Sequence, residues 1–182
     1  RNGAVYSNAQ YMFSPVDRAS SIASISTGTS PSSNGITGFR WLNKNTLIPV
    51  NCVDDNSYEG IFTKEGASPK NIITTTINDE LKIATEGDAI VYSIALERDA
   101  AVIGGGHAAD GALWFNKDNK CWCSSKYYFK KPPSWLESYN LLYANNFTED
   151  NVNANITNVA LECVNSCGMG TDDITDMLLL TY

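Results

Sequence analysis

The segment that most restricts the fold is DAIVYSIALE, residues 88–97. Successive side chains of a strand point to opposite faces. Ile90, Tyr92, Ile94 and Leu96 therefore share one face, and Val91, Ser93, Ala95 and Glu97 the other. Both faces carry apolar groups, so this strand belongs inside a sheet with cover on each side. A chain of 182 residues can supply that cover within one domain.

Other strand signals surround it. FRWLNKNTLIPVNCV reads as two strands about an NKN turn, with Pro49 marking an edge or a bulge. YEGIFTKEG is a short strand, and NIITTTINDELKIAT reads as a hairpin of β-branched residues about NDE. GALWFNKDNKCWCSS is a second hairpin with an NKDN turn, in which Cys121 and Cys123 share a face and Trp122 takes the other. PPSWLESYNLLY is the one well-signalled helix, with Ser134 and Glu137 at capping-box spacing and Trp135, Tyr139 and Leu142 along one side. ITNVALECVNSC reads as strand and tight loop, and the last residues as a terminal strand. The sum predicts a mainly β, α+β protein, an antiparallel sheet or sandwich with a small helical part, stapled by disulfides.

Residues 1–38 are rich in Ser, Gly and Asn and read as a loosely structured lead-in to a single domain over 1–182. Helical spacing runs through Tyr11, Met12, Val16, Ala19, Ile22 and Ala23, with Pro15 as a start or kink, and TGTSPSSNGITG reads as a flexible loop. The chain opens on Arg1 with no hydrophobic leader, which suggests a processed or trimmed product.

Charge excludes some functions. Only 18% of residues are charged, and the net charge of −7 argues against nucleic acid or an anionic membrane as a partner. Lys120, Lys126, Lys130 and Lys131 form the one basic cluster and suit a solvated strand edge. No apolar run reaches the length of a membrane span.

The cysteines bear most directly on chemistry. Two disulfides and one leftover thiol suit a secreted protein, for instance Cys163 with Cys167 and Cys52 with Cys121 or Cys123, although other pairings compete. A second reading gathers Cys121, Cys123, Cys163 and Cys167 around zinc, with His107 as a spare ligand, but neither pair has knuckle spacing. A third makes a free thiol the nucleophile of a hydrolase, with His107 as base and Asp110 orienting it. His107 lies in VIGGGHAADG, which reads as a sharp glycine connection and lacks the order of a dinucleotide or phosphate loop. The acidic groups Asp54, Asp55, Asn56 and Glu59, and Asp172, Asp173 and Asp176, fit turns better than calcium loops. Asn146 and Asn155 open glycosylation sequons.

Aromatic residues concentrate after the CWC motif. Trp122, Tyr127 and Tyr128, with Lys130 beside them, suit stacking on a sugar or anchoring a protein. GDAIVYSIALE followed by GALWFNKDNKCWCSS resembles the globular heads of minor type IV pilins, over less than a third of the chain and without that family's long N-terminal helix. The resemblance implies successive antiparallel strands, a late cysteine bridge and self-assembly into an appendage. The resulting expectation is an extracytoplasmic, non-catalytic binding or structural module, secreted or at the cell surface, with a protein or glycan partner and no cofactor.

Overall fold

The computed structural model describes residues 5, 7–14, 16–143 and 151–182. Their elements run α1 (Arg18–Thr27), α2 (Pro31–Asn34), β1 (Arg40–Leu42), β2 (Pro49–Asn51), β3 (Gly60–Ile61), α3 (Ile77–Ala84), β4 (Val91–Ala95), α4 (Arg98–Gly105), β5 (Gly111–Asn116), β6 (Cys121–Ser125), α5 (Ser134–Tyr143), α6 (Val152–Cys167) and β7 (Met177–Thr181). β1 and β2 form a small antiparallel hairpin, and the main sheet has the order β3-β6-β5-β4-β7.

The main sheet is mixed, which overturns the antiparallel sandwich. β4 runs parallel to both β5 and β7, whereas β5–β6 and β6–β3 are antiparallel. Parallel neighbours require a crossover, and α4 provides it between β4 and β5. The glycine run expected to be a loop is the end of that helix. A Cβ at Gly104 would fall 2.5 Å from Leu179 Cδ2 and 2.8 Å from Ser93 Oγ, so glycine lets α4 lie directly on β4 and β7. Gly106, at φ +75°, then turns the chain out of the helix.

Helices cover both faces of the sheet, as strands apolar on both sides require. Ala95, Ala112, Trp114 and Cys123 face a core built with α1 and α4. Tyr92, Ile94, Leu113, Phe115 and Trp122 face the other core, built with α5 and α6. Phe115 and Trp122 meet edge-on at 5.5 Å between ring centroids. Asn140 of α5 ties its layer to the sheet, because its amide accepts from Trp122 N and donates to Trp122 O.

Two elements expected as β are helices. In the NDE hairpin, Thr76 caps α3 and accepts from Asp79 N, while Asp79 accepts from Thr76 N, a capping box at the spacing T-x-x-D. The cysteine loop ECVNSC is the end of α6, whose buried side chains Ile156, Val159, Ala160 and Cys163 recur at i, i+3, i+4 and i+7. The β1–β2 hairpin, β4, the β5–β6 hairpin, α5 and the terminal strand lie where the patterns place them. On α5, however, the buried residues are Leu136, Tyr139 and Asn140, and Leu142 is exposed. Within residues 1–38 stand α1 and the short α2; Pro15 lies outside the described residues.

Candidate active site

Open α/β sheets bind ligands at the carboxyl ends of their parallel strands. Here a crevice of about 340 Å³ opens at those ends of β4 and β5. Its walls come from Leu96, Glu97, Arg98 and Asp99 after β4 and from Trp114 through Asp118 at the end of β5. Phe39, Asn51, Thr63 and Glu65 close it from the loops opposite.

Both guanidinium groups at or beside it are paired with carboxylates. Arg18, the first residue of α1, donates from Nε to Asp99 Oδ2 at 3.0 Å and from Nη2 to Asp99 Oδ1 at 2.7 Å. The Asp99 side chain is 2% exposed and that of Arg18 43%, so the carboxylate lies beneath the guanidinium. The hydrogen bond to Asp99 raises the Arg18 pKa against its partial burial. Arg18 also stands over the Phe39 ring, 5.5 Å from its centroid. Arg98 bridges Asp54 at 2.5 Å and Glu65 at 2.9 Å. Asp17 caps α1, accepting from Ser20 N at 2.8 Å and Phe39 N at 2.6 Å. Burial pushes its carboxyl up, but the hydrogen bonds prevail and hold it low.

His107 lies elsewhere, at the end of α4. Its Nδ1 is 3.1 Å from Asp79 Oδ2 and its Nε2 3.0 Å from Ile72 O. Both partners are acceptors, so the protonated ring, which donates from both nitrogens, satisfies both contacts at once. Asp79 also accepts from His107 N and Ala108 N. Burial pushes the Asp79 pKa up, yet bonds from His107, Thr76 and Ala108 prevail and hold it at about 2. The bond to Asp79 raises that of His107 against burial. The folded ring thus keeps its proton to higher pH than the unfolded one, whose pKa is about 6.5. The pair's contribution to stability is complete below that value and fades as pH rises through the folded one. We expect His107→Ala to lower the melting temperature more at about pH 5.5 than at about pH 9. A difference independent of pH would contradict the ion pair.

The expected hydrolase trio does not assemble. Asp110 pairs with Lys82 Nζ at 2.8 Å and accepts from Val91 N, leaving Asp79 to orient His107. No thiol is a partner of the His107 ring among the described contacts. All five cysteines are free, which corrects the disulfide framework. Cys52 is fully buried, and desolvation pushes its thiol up to about 12. The Sγ atoms of Cys121 and Cys123 lie 3.7 Å apart in one core, and those of Cys163 and Cys167 lie 4.0 Å apart in the other. The sheet separates the two pairs, so they share no zinc. Cys163 raises its own thiol and lowers that of Cys167, to about 6, by hydrogen bonding to it.

The aromatic platform is divided, with Trp122 interior and Tyr127 and Tyr128 partly exposed. Trp122 is 3% exposed, Tyr127 donates to His107 O, and Tyr128 donates to Gly106 O and Val102 O. Lys130 remains on the surface. The acidic clusters have structural partners: Asp55 holds Ser68 and Lys70, Glu59 pairs with Lys126, and Asp176 accepts from Ile90 N. Asn155 is partly exposed on α6, and Asn146 lies outside the described residues. The crevice residues Arg98 and Asp99, and Arg18 beside them, were not singled out from sequence. The ERD triplet directly after the buried strand, in a chain so poor in charge, was the available signal.

Comparison with known proteins decides the family. Residues 1–181 match the model of the type I phosphodiesterase / nucleotide pyrophosphatase family. The chain belongs to that family. It is 35% identical over 136 residues to alkaline phosphatase PhoV of Synechococcus elongatus, covering 73% of this chain and 25% of that protein. It is 31% identical over 142 residues to alkaline phosphatase PafA of Elizabethkingia meningoseptica, covering 76% of this chain and 26% of that one. The crystal structure of wild-type PafA superposes with a TM-score of 0.80 at 25% identity, over 89% of this chain and 42% of that structure. This chain thus spans about a quarter of the length of these curated relatives.

Family membership replaces the expected non-catalytic adhesin or pilus-type subunit with a hydrolase lineage, and the parallel strands remove the pilin likeness. Alkaline phosphatases are commonly secreted or periplasmic, in keeping with an extracytoplasmic location. No helix among the described residues is long and apolar enough to cross a membrane.

Proposed function

We propose that this chain is the crevice-bearing part of a phosphate-ester hydrolase. The observation that carries the reading is the position of the crevice, at the carboxyl ends of β4 and β5 in a chain of this family. Family membership and the likeness to two alkaline phosphatases support phosphate monoesters or diesters as the substrate class. A secreted or cell-surface site of action belongs to the same proposal, supported by the low charge density.

Phosphate-ester hydrolases often meet the charge of the phosphoryl group with bound metal ions. The described residues do not fit such a role alone, because no three His, Cys, Asp or Glu side chains converge on a point where an ion would sit. No step is therefore assigned to a metal on these residues. What they contribute is a walled crevice, with the Thr63 hydroxyl and two guanidinium groups at or beside it.

The test is hydrolysis of p-nitrophenyl phosphate and bis(p-nitrophenyl) phosphate by the full-length protein, with divalent cations supplied, from about pH 6 to about pH 10. Turnover of either ester supports the reading. A folded protein that turns over neither would end it.

A further inference from the structure

We propose that Arg18 forms an oxyanion seat beside the crevice and that Asp99 occupies this seat from within. The inference rests on the hydrolase reading for its location, but its evidence is the ion pair itself. A guanidinium binds carboxylate and phosphate through the same two-pronged fork. Arg18 makes that fork with Asp99, through Nε at 3.0 Å and Nη2 at 2.7 Å. The carboxylate is buried on the protein side and the guanidinium reaches the surface against Phe39. The group that would meet an entering phosphate is therefore already satisfied.

The surroundings act in the same direction. Asp17 takes Ser20 N at the start of α1 and Phe39 N beside it, donors of the kind a bound oxyanion uses. Arg98, the other guanidinium of the crevice, is held by Asp54 and Glu65. Glu97 and Asp118 add further negative charge to the walls. A phosphate dianion thus meets carboxylates and two guanidinium groups already committed to them, with the Lys117 ammonium as the one lining cation without an ion pair among the described residues. With Asp99 in the seat, charge compensation in wild type is left to Lys117 and to groups beyond these residues.

Removing the charge of Asp99 tests whether it is what keeps phosphate from Arg18. In Asp99→Asn the side-chain amide has one acceptor, so one prong of the Arg18 fork becomes free. Titration calorimetry with inorganic phosphate is expected to show about tenfold tighter binding for Asp99→Asn than for wild type. The double variant Arg18→Gln/Asp99→Asn is expected to fall back to the wild-type level. Thermal melting of each variant confirms that folded protein is compared. An independent reading uses wild type alone: the Arg18 Nε–H signal in a nitrogen-15 spectrum should stay fixed as phosphate is added.

The proposal is overturned if wild type binds phosphate as tightly as Asp99→Asn, if the gain survives loss of Arg18, or if the Arg18 signal shifts and saturates with phosphate. These readouts are affinities and shifts. Failure of ester hydrolysis would instead count against the functional reading and leave the seat standing.

Discussion

Asp79→Ala is expected to cost roughly 3–5 kcal/mol of folding stability, measured by urea unfolding. The side chain is buried and acts as acceptor for the backbone N–H groups of Thr76, His107 and Ala108 as well as for the His107 ring. Alanine leaves three backbone donors without this partner at the junction of α3 and the end of α4. It also removes half of the α3 capping box, a change worth about 1 kcal/mol by itself. The half-exposed imidazolium contributes less, because water screens it. Asp79→Asn keeps one acceptor and should lose less. A loss below about 1 kcal/mol for Asp79→Ala would mean that water replaces the carboxylate at little cost.

Gly66→Ala is the second large effect, and its cause is steric. A Cβ at Gly66 would lie 1.8 Å from Tyr58 O and 2.5 Å from Asp55 O. Both obstacles are backbone, so no side chain can rotate aside and the segment from Asp55 to Gly66 must shift. That segment is fixed by Asp55 N donating to Gly66 O, by Asp55 with Ser68 and Lys70, and by Glu65 with Arg98. The expected cost is roughly 3 kcal/mol or more. The displaced Glu65 should also loosen Arg98, visible as faster side-chain exchange of its guanidinium. Unchanged stability would show that the two backbone strands separate freely.

Much of the fold was legible where a pattern is local. The alternation of Tyr92, Ile94, Val91 and Ala95 located β4 and its need for cover on both faces. The NKDN turn located the β5–β6 hairpin, and PPSW the start of α5. What failed was the reading of β-branched and cysteine-rich stretches. Thr76 and Asp79 had capping spacing, but the isoleucine–threonine run before them suggested a strand. Ile156, Val159, Ala160 and Cys163 had helical spacing, but the two cysteines suggested a bridged loop. Missing the helices after β4 and before β7 concealed the parallel neighbours, and with them the fold class. The crevice was hidden for another reason. Arg18 and Asp99 are 81 positions apart, and only the packing of α1 on α4 brings them together. Pairing at that range leaves no trace in spacing, whereas the aromatic cluster did, and of its members Trp122 and Tyr139 are buried while Tyr127 and Tyr128 keep partial exposure.

One feature of the sheet bears on how the molecule must be handled. β7 pairs with β4 along one side, and no strand among the described residues pairs with its other side. Met177, Leu178, Leu179 and Leu180 keep partial exposure on both faces, and Ile25 and Ile77 stand exposed beside an apolar groove along it. There is no proline, lysine or bulge in Met177–Thr181 to discourage an incoming strand. A segment or partner laid against this margin would also act as its guard. Without such a guard, the chain offers a template for filament-like stacking, and its shelf life in solution will depend on concentration before it depends on temperature.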